Sequence, residues 1–223
     1  MVLYVLVSGL VKIVDALGVT MGKVFTQASV SLDGYISGPG QSGFDKLFAW
    51  CTAGTVATPT ADPDRLTYRT SEATARYLRG LQEMLGACVV GRNLFDLTAG
   101  WDGRHPSGVP VFVVSHRPPP SGWAATTPFT FVSDGVENAI ARAREVAGHR
   151  DVGVGPGGTV ADALRAGLLD ELRMDVVPVV LGGGTPVLAG LTATAPIGFE
   201  QAEVIEGIGV THMIYRRAPQ RRV

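Results

Sequence analysis

The chain has 223 residues, 46% apolar and 17% charged, with 29 glycines, 14 prolines and a formal net charge of -1. At roughly 100–200 residues per domain this is enough to bury a sizeable core, which argues against disorder, and 19 Lys and Arg against 20 Asp and Glu exclude a global field that would draw in nucleic acid or an anionic membrane. Two cysteines, Cys51 and Cys88, form no C-x-x-C pair and lack the density of a secreted disulfide scaffold, so a reducing cytoplasm is the expected compartment.

The opening run MVLYVLVSGL is interrupted by Ser8, Gly9 and Lys12, has no basic region ahead of it, and falls short of the ~20 apolar residues of a membrane span. Leu3, Leu6, Leu10, Ile13 and Leu17 recur at helical spacing and Gly18 supplies a stop, which predicts an amphipathic helix. It is either a subunit contact or an upstream extension with the working start at Met21. VFTQASVSLDGYI reads as a strand running into a turn at Asp33-Gly34, and residues 38–64 as a long surface segment with one helical patch from Phe44 to Trp50. Tyr77, Leu78, Leu81, Met84 and Leu85 share a face of a helix between Ser71 and Gly86. ACVVG, VPVFVVS and FTFV are short apolar runs, as strands buried on both faces should be. A helix on Val136, Ala139, Ile140, Ala143 and Ala147, a strand DVGV and a helix over Thr159–Leu168 follow. ELRMDVVPVVLGGG, FEQAEVIEG and GVTHMIYRR then read as strands without an intervening helix. The expected fold is one three-layer α/β domain over residues 23–217, its mostly parallel eight-stranded sheet closed by an antiparallel C-terminal hairpin. Residues 1–22 would be an extension and 218–223 a basic, solvated tail.

In such a sheet chemistry gathers in the loops leaving the carboxyl ends of parallel strands. Gly91-Arg92-Asn93 places a cation at a helix start, where the macrodipole disfavours it unless an anion is near, so a phosphate would fit. Ser115-His116-Arg117 sets a hydroxyl beside two potential cations, or is a solvated turn ahead of Pro118. Gly155-Pro156-Gly157-Gly158-Thr159 is a glycine-rich turn feeding a helix, suited to a pyrophosphate, although the same sequence also suits a tight strand-to-helix connection. Together the three loops outline a phosphorylated dinucleotide. The strand order excludes a Rossmann unit, because only about one helix follows the glycine turn.

Ser31-Leu32-Asp33-Gly34-Tyr35-Ile36, Val90-Gly91-Arg92-Asn93-Leu94-Phe95, Val114-Ser115-His116-Arg117, Gly157-Gly158-Thr159 and Ala166 to Leu172 leading to Pro178-Val179-Val180-Leu181-Gly182 occur in that order. On these segments the chain resembles dihydrofolate reductase-like proteins, particularly the reductase domain of the bifunctional riboflavin-biosynthesis deaminase/reductase and its stand-alone relatives. The resemblance implies a dihydrofolate reductase-like α/β/α fold and a homodimer. It also implies an NADPH site: Gly91, Arg92, Asn93, Ser115 and His116 at the adenosine end and its 2′-phosphate, Gly155, Gly157, Gly158 and Thr159 on the pyrophosphate, and Ser29, Asp33, Gly34 and Ile36 at the nicotinamide. Asp33 either serves there or only bonds backbone N–H groups in its Asp-Gly turn.

Two departures stand out. Dihydrofolate reductases carry a carboxylate two residues before an Ala-Trp pair, whereas here Leu47 precedes Ala49-Trp50, and Pro156 removes one N–H from the phosphate loop. Asp45 and Asp33 are the visible proton donors, with water as the alternative. Cys51 reads as an ordinary thiol in a loop and Cys88 as strand core. The four histidines share no metal-ligand spacing, and no H-x-E…P-C-x-x-C zinc-deaminase signature is present. Phe44, Phe48 and Trp50, within residues 38–64, would line a substrate wall or a subunit contact, and Trp101 to His105 a second wall or an exposed turn. The expected activity is hydride transfer from NADPH to a C=N or C=O of a small pteridine- or ribosylaminopyrimidine-like heterocycle. A dinucleotide- or ligand-binding protein of the same fold without turnover is the alternative, and an oligomeric scaffold with an empty site the third reading.

Overall fold

A computed structural model describes residues 21–123, 127–193 and 195–218. The expected helix over residues 1–20 and the end of the basic tail lie outside them.

Eight strands form one sheet in the order β11-β12-β9-β1-β8-β5-β6-β7: β1 Val24–Ser31, β5 Leu85–Gly91, β6 Val111–Val114, β7 Phe129–Val132, β8 Asp151–Val154, β9 Glu171–Val177, β11 Phe199–Gly207 and β12 Val210–Arg217. β1 lies between β8 and β9 and runs parallel to both, and β5, β6 and β7 continue the parallel array. β12 pairs antiparallel with β9 and with β11, so the closing hairpin is as expected. Helices cover both faces, because β5 alternates a buried side chain to each. Ala87 and Val89 pack with helices Val136–Ala147 (α4) and Gly158–Arg165 (α5), while Cys88 and Val90 pack toward Phe95 of helix Arg92–Leu97 (α3). That double burial is why this strand reads as an unbroken apolar run.

Helix Glu72–Met84 (α2) covers the other half of the α3 face. Ser71 caps it by accepting a hydrogen bond from the Thr74 N–H, and its last residue, Met84, is 48% exposed because Leu85 already belongs to β5. α5 is shorter than Thr159–Leu168. Gly167 at φ +76 ends it, with Leu168 N–H donating to the Ala163 carbonyl and Gly167 N–H to that of Leu164, the paired bonds of a left-handed C-terminal cap.

Residues 38–64 depart from the surface segment expected. After helix Phe44–Leu47 (α1) and a 3-10 turn Ala49–Thr52, strands β3 (Val56–Pro59) and β4 (Thr67–Thr70) pair as a two-stranded hairpin. Leu47, Trp50 and Cys51 are buried. Strand β2 (Tyr35–Ser37) pairs with the two-residue β10 (Thr185–Pro186).

Two polar clusters lie under α2. In the first, Asp175 accepts from Gln27 Nε2 (2.9 Å) and pairs with His212 Nδ1 (2.7 Å), His212 Nε2 meets Thr74 Oγ1 (3.0 Å), and Trp50 Nε1 donates to Ser29 Oγ (2.9 Å). In the second, at the amino ends of β1 and β9, Glu171 accepts from Lys23 Nζ at 2.6 Å, from Arg173 Nη2 at 2.6 Å and from Arg216 Nε at 3.3 Å. Burial opposes ionisation of Glu171, but the hydrogen bonds from Lys23 and Arg173 outweigh it and hold the carboxyl below its ordinary range. Its stabilisation is therefore present above the ordinary glutamate range and is lost as pH falls through the depressed value. Arg173 is 9% exposed, so Glu171→Gln should cost about 3 kcal/mol by leaving a buried cation with only the more distant Asp151, 3.9 Å away, as counter-charge. Urea unfolding at pH 7 measures this, and the gap between the two proteins should close in acid.

Candidate functional site

Parallel pairing brings the loops after β1, β5, β6 and β8 to one edge of the sheet. Three backbone hydrogen bonds fix the glycine turn there. Gly155 N–H donates to the Val89 carbonyl (2.8 Å) and Gly157 N–H to that of Val187 (2.9 Å), while Val187 N–H donates to the carbonyl of Gly34 (3.0 Å). The turn after β1 and the turn after β8 are thus stitched together through Val187. A Cβ on Gly157 would lie 3.9 Å from Ile36 Cδ1, and its φ of +87 requires glycine.

No side chain caps α5, and its first helical bond runs from Ala161 N–H to the Gly157 carbonyl. The amides of Gly158, Thr159 and Val160 precede that bond, and a Cβ at Gly158 would stand in open space. These three N–H groups form a cradle for an anion at the positive end of the helix. Pro156 removes one donor, and Gly155 and Gly157 have spent theirs on the backbone, so the cradle lies one step further along than expected. Gly91 closes its side: a Cβ there would meet Thr159 Oγ1 at 2.4 Å.

Arg92 is fixed rather than free. Its Nε donates to Asp96 Oδ1 (2.7 Å), and its Nη1 donates to the Pro118 carbonyl (2.8 Å) and to Ser115 Oγ (3.3 Å). Its side chain is 14% exposed, so the strands β5 and β6 hold it over the rings of Phe95 and Phe131. Asp96 also accepts from Arg117 Nη2 at 2.8 Å. The Arg92 hydrogen bond, opposed by burial and aided by the two guanidinium charges, holds the Asp96 carboxyl below its ordinary value. Asn93 and His116 are exposed beside this pair. The two arginines stand out in the sequence; the carboxylate that gathers them was passed over, although its i,i+4 spacing from Arg92 was the signal.

Asp33 is a clamp between distant loops. Its Oδ1 accepts from Ser31 Oγ (2.6 Å) and Leu181 N–H (3.1 Å), and its Oδ2 from Gly182 N–H (2.7 Å). The Ser31 hydroxyl, followed by the two amides, holds it ionised below its ordinary value. Ser29 lies buried on the same strand, bonded to Trp50. Asp45 lies in solvent. Its side chain is 74% exposed, 3.5 Å from Lys46, while α1 turns fully buried Leu47 inward. A four-residue helix offers one inward position, and an apolar side chain has taken it.

Cys51 is corrected from loop to buried 3-10 turn, where burial, then the Asp175 charge, pushes its thiol up to about 12. Burial pushes Cys88 up to about 11, so neither is a thiolate nucleophile at neutral pH. Residues 99–103 form a left-handed turn that packs Trp101 on Phe129 and against the edge of His105 at 4.4 Å, and sets Asp102 2.8 Å from Arg65. It is a packed turn rather than an open wall. Burial lowers His105 to about 4, which leaves it neutral. Among the described residues no cluster of His, Cys, Asp and Glu is arranged to hold a metal, and no helix is long and apolar enough to cross a membrane.

The fold is shared with several solved structures. A protein of Shewanella sp. PV-4 assigned to riboflavin biosynthesis superposes with a TM-score of 0.66 at 23% identity, covering 88% of this chain and 99% of that one. A diaminohydroxyphosphoribosylaminopyrimidine deaminase/5-amino-6-(5-phosphoribosylamino)uracil reductase of Thermotoga maritima gives 0.58 at 12% identity over 89% of this chain, which spans only 57% of that longer one. Dihydrofolate reductase of Enterococcus faecalis, solved with NADP(H), gives 0.53 at 13% identity, covering 90% and 99%. No curated protein sequence matches the chain. The RibD C-terminal domain family matches residues 22–206, nearly the whole of the described fold, and the chain belongs to that family.

Proposed function

We propose that the chain is an NADPH-dependent reductase acting on a small pteridine- or ribosylaminopyrimidine-like heterocycle. The observation that carries this reading is one juxtaposition: the uncapped amino terminus of α5, Gly91 with Arg92, and the turn at Gly34–Ile36 meet at a single edge of the sheet. The cofactor, when bound, supplies the hydride for a C=N or C=O carbon. Gly158 and Thr159 would hold its pyrophosphate by their amides. Arg92, Ser115 and His116 would face the 2′-phosphate, with Asn93 beside the adenosine. Gly34 and Ile36 would line the nicotinamide, with Ser29 beneath them. The ternary groups of such a site act mainly by orientation. Homodimer contact is assigned to β11, the edge strand, where Val204 is 47% exposed, and the family reading agrees with a cytoplasmic enzyme.

Neither expected carboxylate suits proton delivery, since Asp45 lies in solvent and Asp33 is held ionised. Water is therefore the assigned proton source, and Asp33 a positioning residue. The same facts favour the second reading, a binding protein without turnover, which predicts tight NADPH binding and no oxidation with any pteridine, ribosylaminopyrimidine or quinone acceptor.

Titration with NADPH and NADH, followed by nicotinamide fluorescence, should show NADPH binding at least tenfold tighter, about 1.4 kcal/mol. Arg92→Ala and Ser115→Ala should each narrow that preference, and failure of both nucleotides to bind would sink the assignment. Asp33→Asn should speed amide exchange at Leu181 and Gly182, read by hydrogen-exchange NMR. In the parent protein that protection should hold at neutral pH and fade only as pH falls through the depressed Asp33 value. Unchanged exchange in the variant would remove the clamp.

A further inference from the structure

At the opposite end of the sheet, α2 stands off the strands and leaves a groove of about 480 Å³. Its floor is the Glu171 cluster, and its walls are Leu81 and Met84 of α2 with Ile205 of β11 and Ile214 of β12. Lys23, Asp151 and Glu171 stand at the amino ends of β1, β8 and β9, whereas the candidate cofactor loops leave the carboxyl ends. The seven residues of β9 put roughly 20 Å between the two places.

Two features of the groove exceed what the fold uses. The first is charge: Lys23, Arg76, Arg173 and Arg216 line it against Asp151, Glu171 and Glu203. Glu171 is already shared by three of those cations, and Asp151 accepts from the backbone N–H of Lys23 while Arg173 lies 3.9 Å away. Arg76, exposed on α2, has no ion-pair partner among the described residues. The second is Tyr77, which lines the same groove with a buried hydroxyl that has no hydrogen-bond partner among the described residues. Burial, then the charge of Asp175, raises this phenol well above its ordinary value, so it stays a donor. Folded proteins rarely leave such a donor unmet. Surplus positive charge, an unmet hydroxyl and an apolar wall together describe the complement of an amphipathic anion.

We propose that this groove is a second binding site, independent of the cofactor reading, for a small organic anion: a carboxylate or phosphate monoester on an apolar or aromatic body. The anionic head would lie toward Arg76 and Arg216 with the Tyr77 hydroxyl as donor, and the body against Leu81, Met84, Ile205 and Ile214. The full chain should be titrated with phenyl phosphate and with benzoate, alongside benzyl alcohol as the uncharged body and inorganic phosphate as the head alone, following methyl NMR and calorimetry. The expected result is saturable 1:1 binding of at least one aromatic anion, at least fivefold tighter than benzyl alcohol or inorganic phosphate, with shifts at Leu81, Met84, Ile205 and Ile214. Which anion binds tighter identifies the head group. Arg76→Gln, on an exposed helix position, should weaken binding about fivefold, Tyr77→Phe should weaken it without unfolding the chain, and saturating NADPH should leave it unchanged. Equal binding of benzyl alcohol, indifference to Arg76→Gln, or displacement by NADPH with shifts at residues 155–159 would each overturn the proposal.

Discussion

The parallel placement of β1 between β8 and β9 is the constraint on which the remaining structure depends. Parallel neighbours cannot be joined by a tight turn, so every connection within the parallel array must cross a face of the sheet and its strands all discharge their loops at the same edge. That requirement, rather than any single residue, gathers four loops from distant parts of the chain. The ends of β1 are then fixed by carboxylates. At its amino end Asp151 accepts from Lys23 N–H at 2.8 Å and Asp170 from Val24 N–H at 2.7 Å. Beyond its carboxyl end Asp33 accepts two amides from the loop that follows β9. A one-residue slip of β1 would break both sets at once and, because both its faces are buried, exchange the side chains that each face packs.

The two ends of the sheet are built on opposite electrostatic principles. At the carboxyl edge the positive elements are dispersed: amides at the start of α5, and an Arg92 whose charge is balanced by Asp96. An anion arriving there meets oriented dipoles and one fixed guanidinium, which gives geometry more than raw attraction. At the amino edge the charges are whole and crowded, three cations about one carboxylate. Such a cluster stabilises the fold only while all its members are paired.

Much of this was legible in the sequence wherever one side chain faces one neighbour. β5 and β6 are apolar on both faces, β7 departs only at its exposed Thr130, all three are bounded by Gly, Pro or Ser, and α2 begins with a serine cap followed by a repeating apolar face. The glycine turn and Arg92 were visible because strand ends and helix starts have local signatures. The β3–β4 hairpin was hidden, because four residues ending in proline do not differ in composition from a loop. Pairing at long range left no trace either. Asp33 sits in an ordinary Asp-Gly turn, and nothing nearby tells that its partners are Leu181 and Gly182. His212, one of four scattered histidines, is wholly buried between Asp175 and Thr74, which only the register of β12 against β9 reveals. The outward position of Asp45 was hidden for a related reason: a helix of one turn has no periodicity from which to read its inward side.

The central position of β1 has a consequence for synthesis. Its partners, β8 and β9, begin at residues 151 and 171, so the earliest of the eight sheet strands to be synthesised is among the last to be paired. At about 5–20 residues per second, VFTQASVS waits roughly ten seconds with two open edges and few charges, the combination that favours intermolecular β pairing. Thr26, Gln27, Ser29 and Ser31 interrupt its apolar character on both faces. In the finished protein three of these polar groups have become members of internal networks.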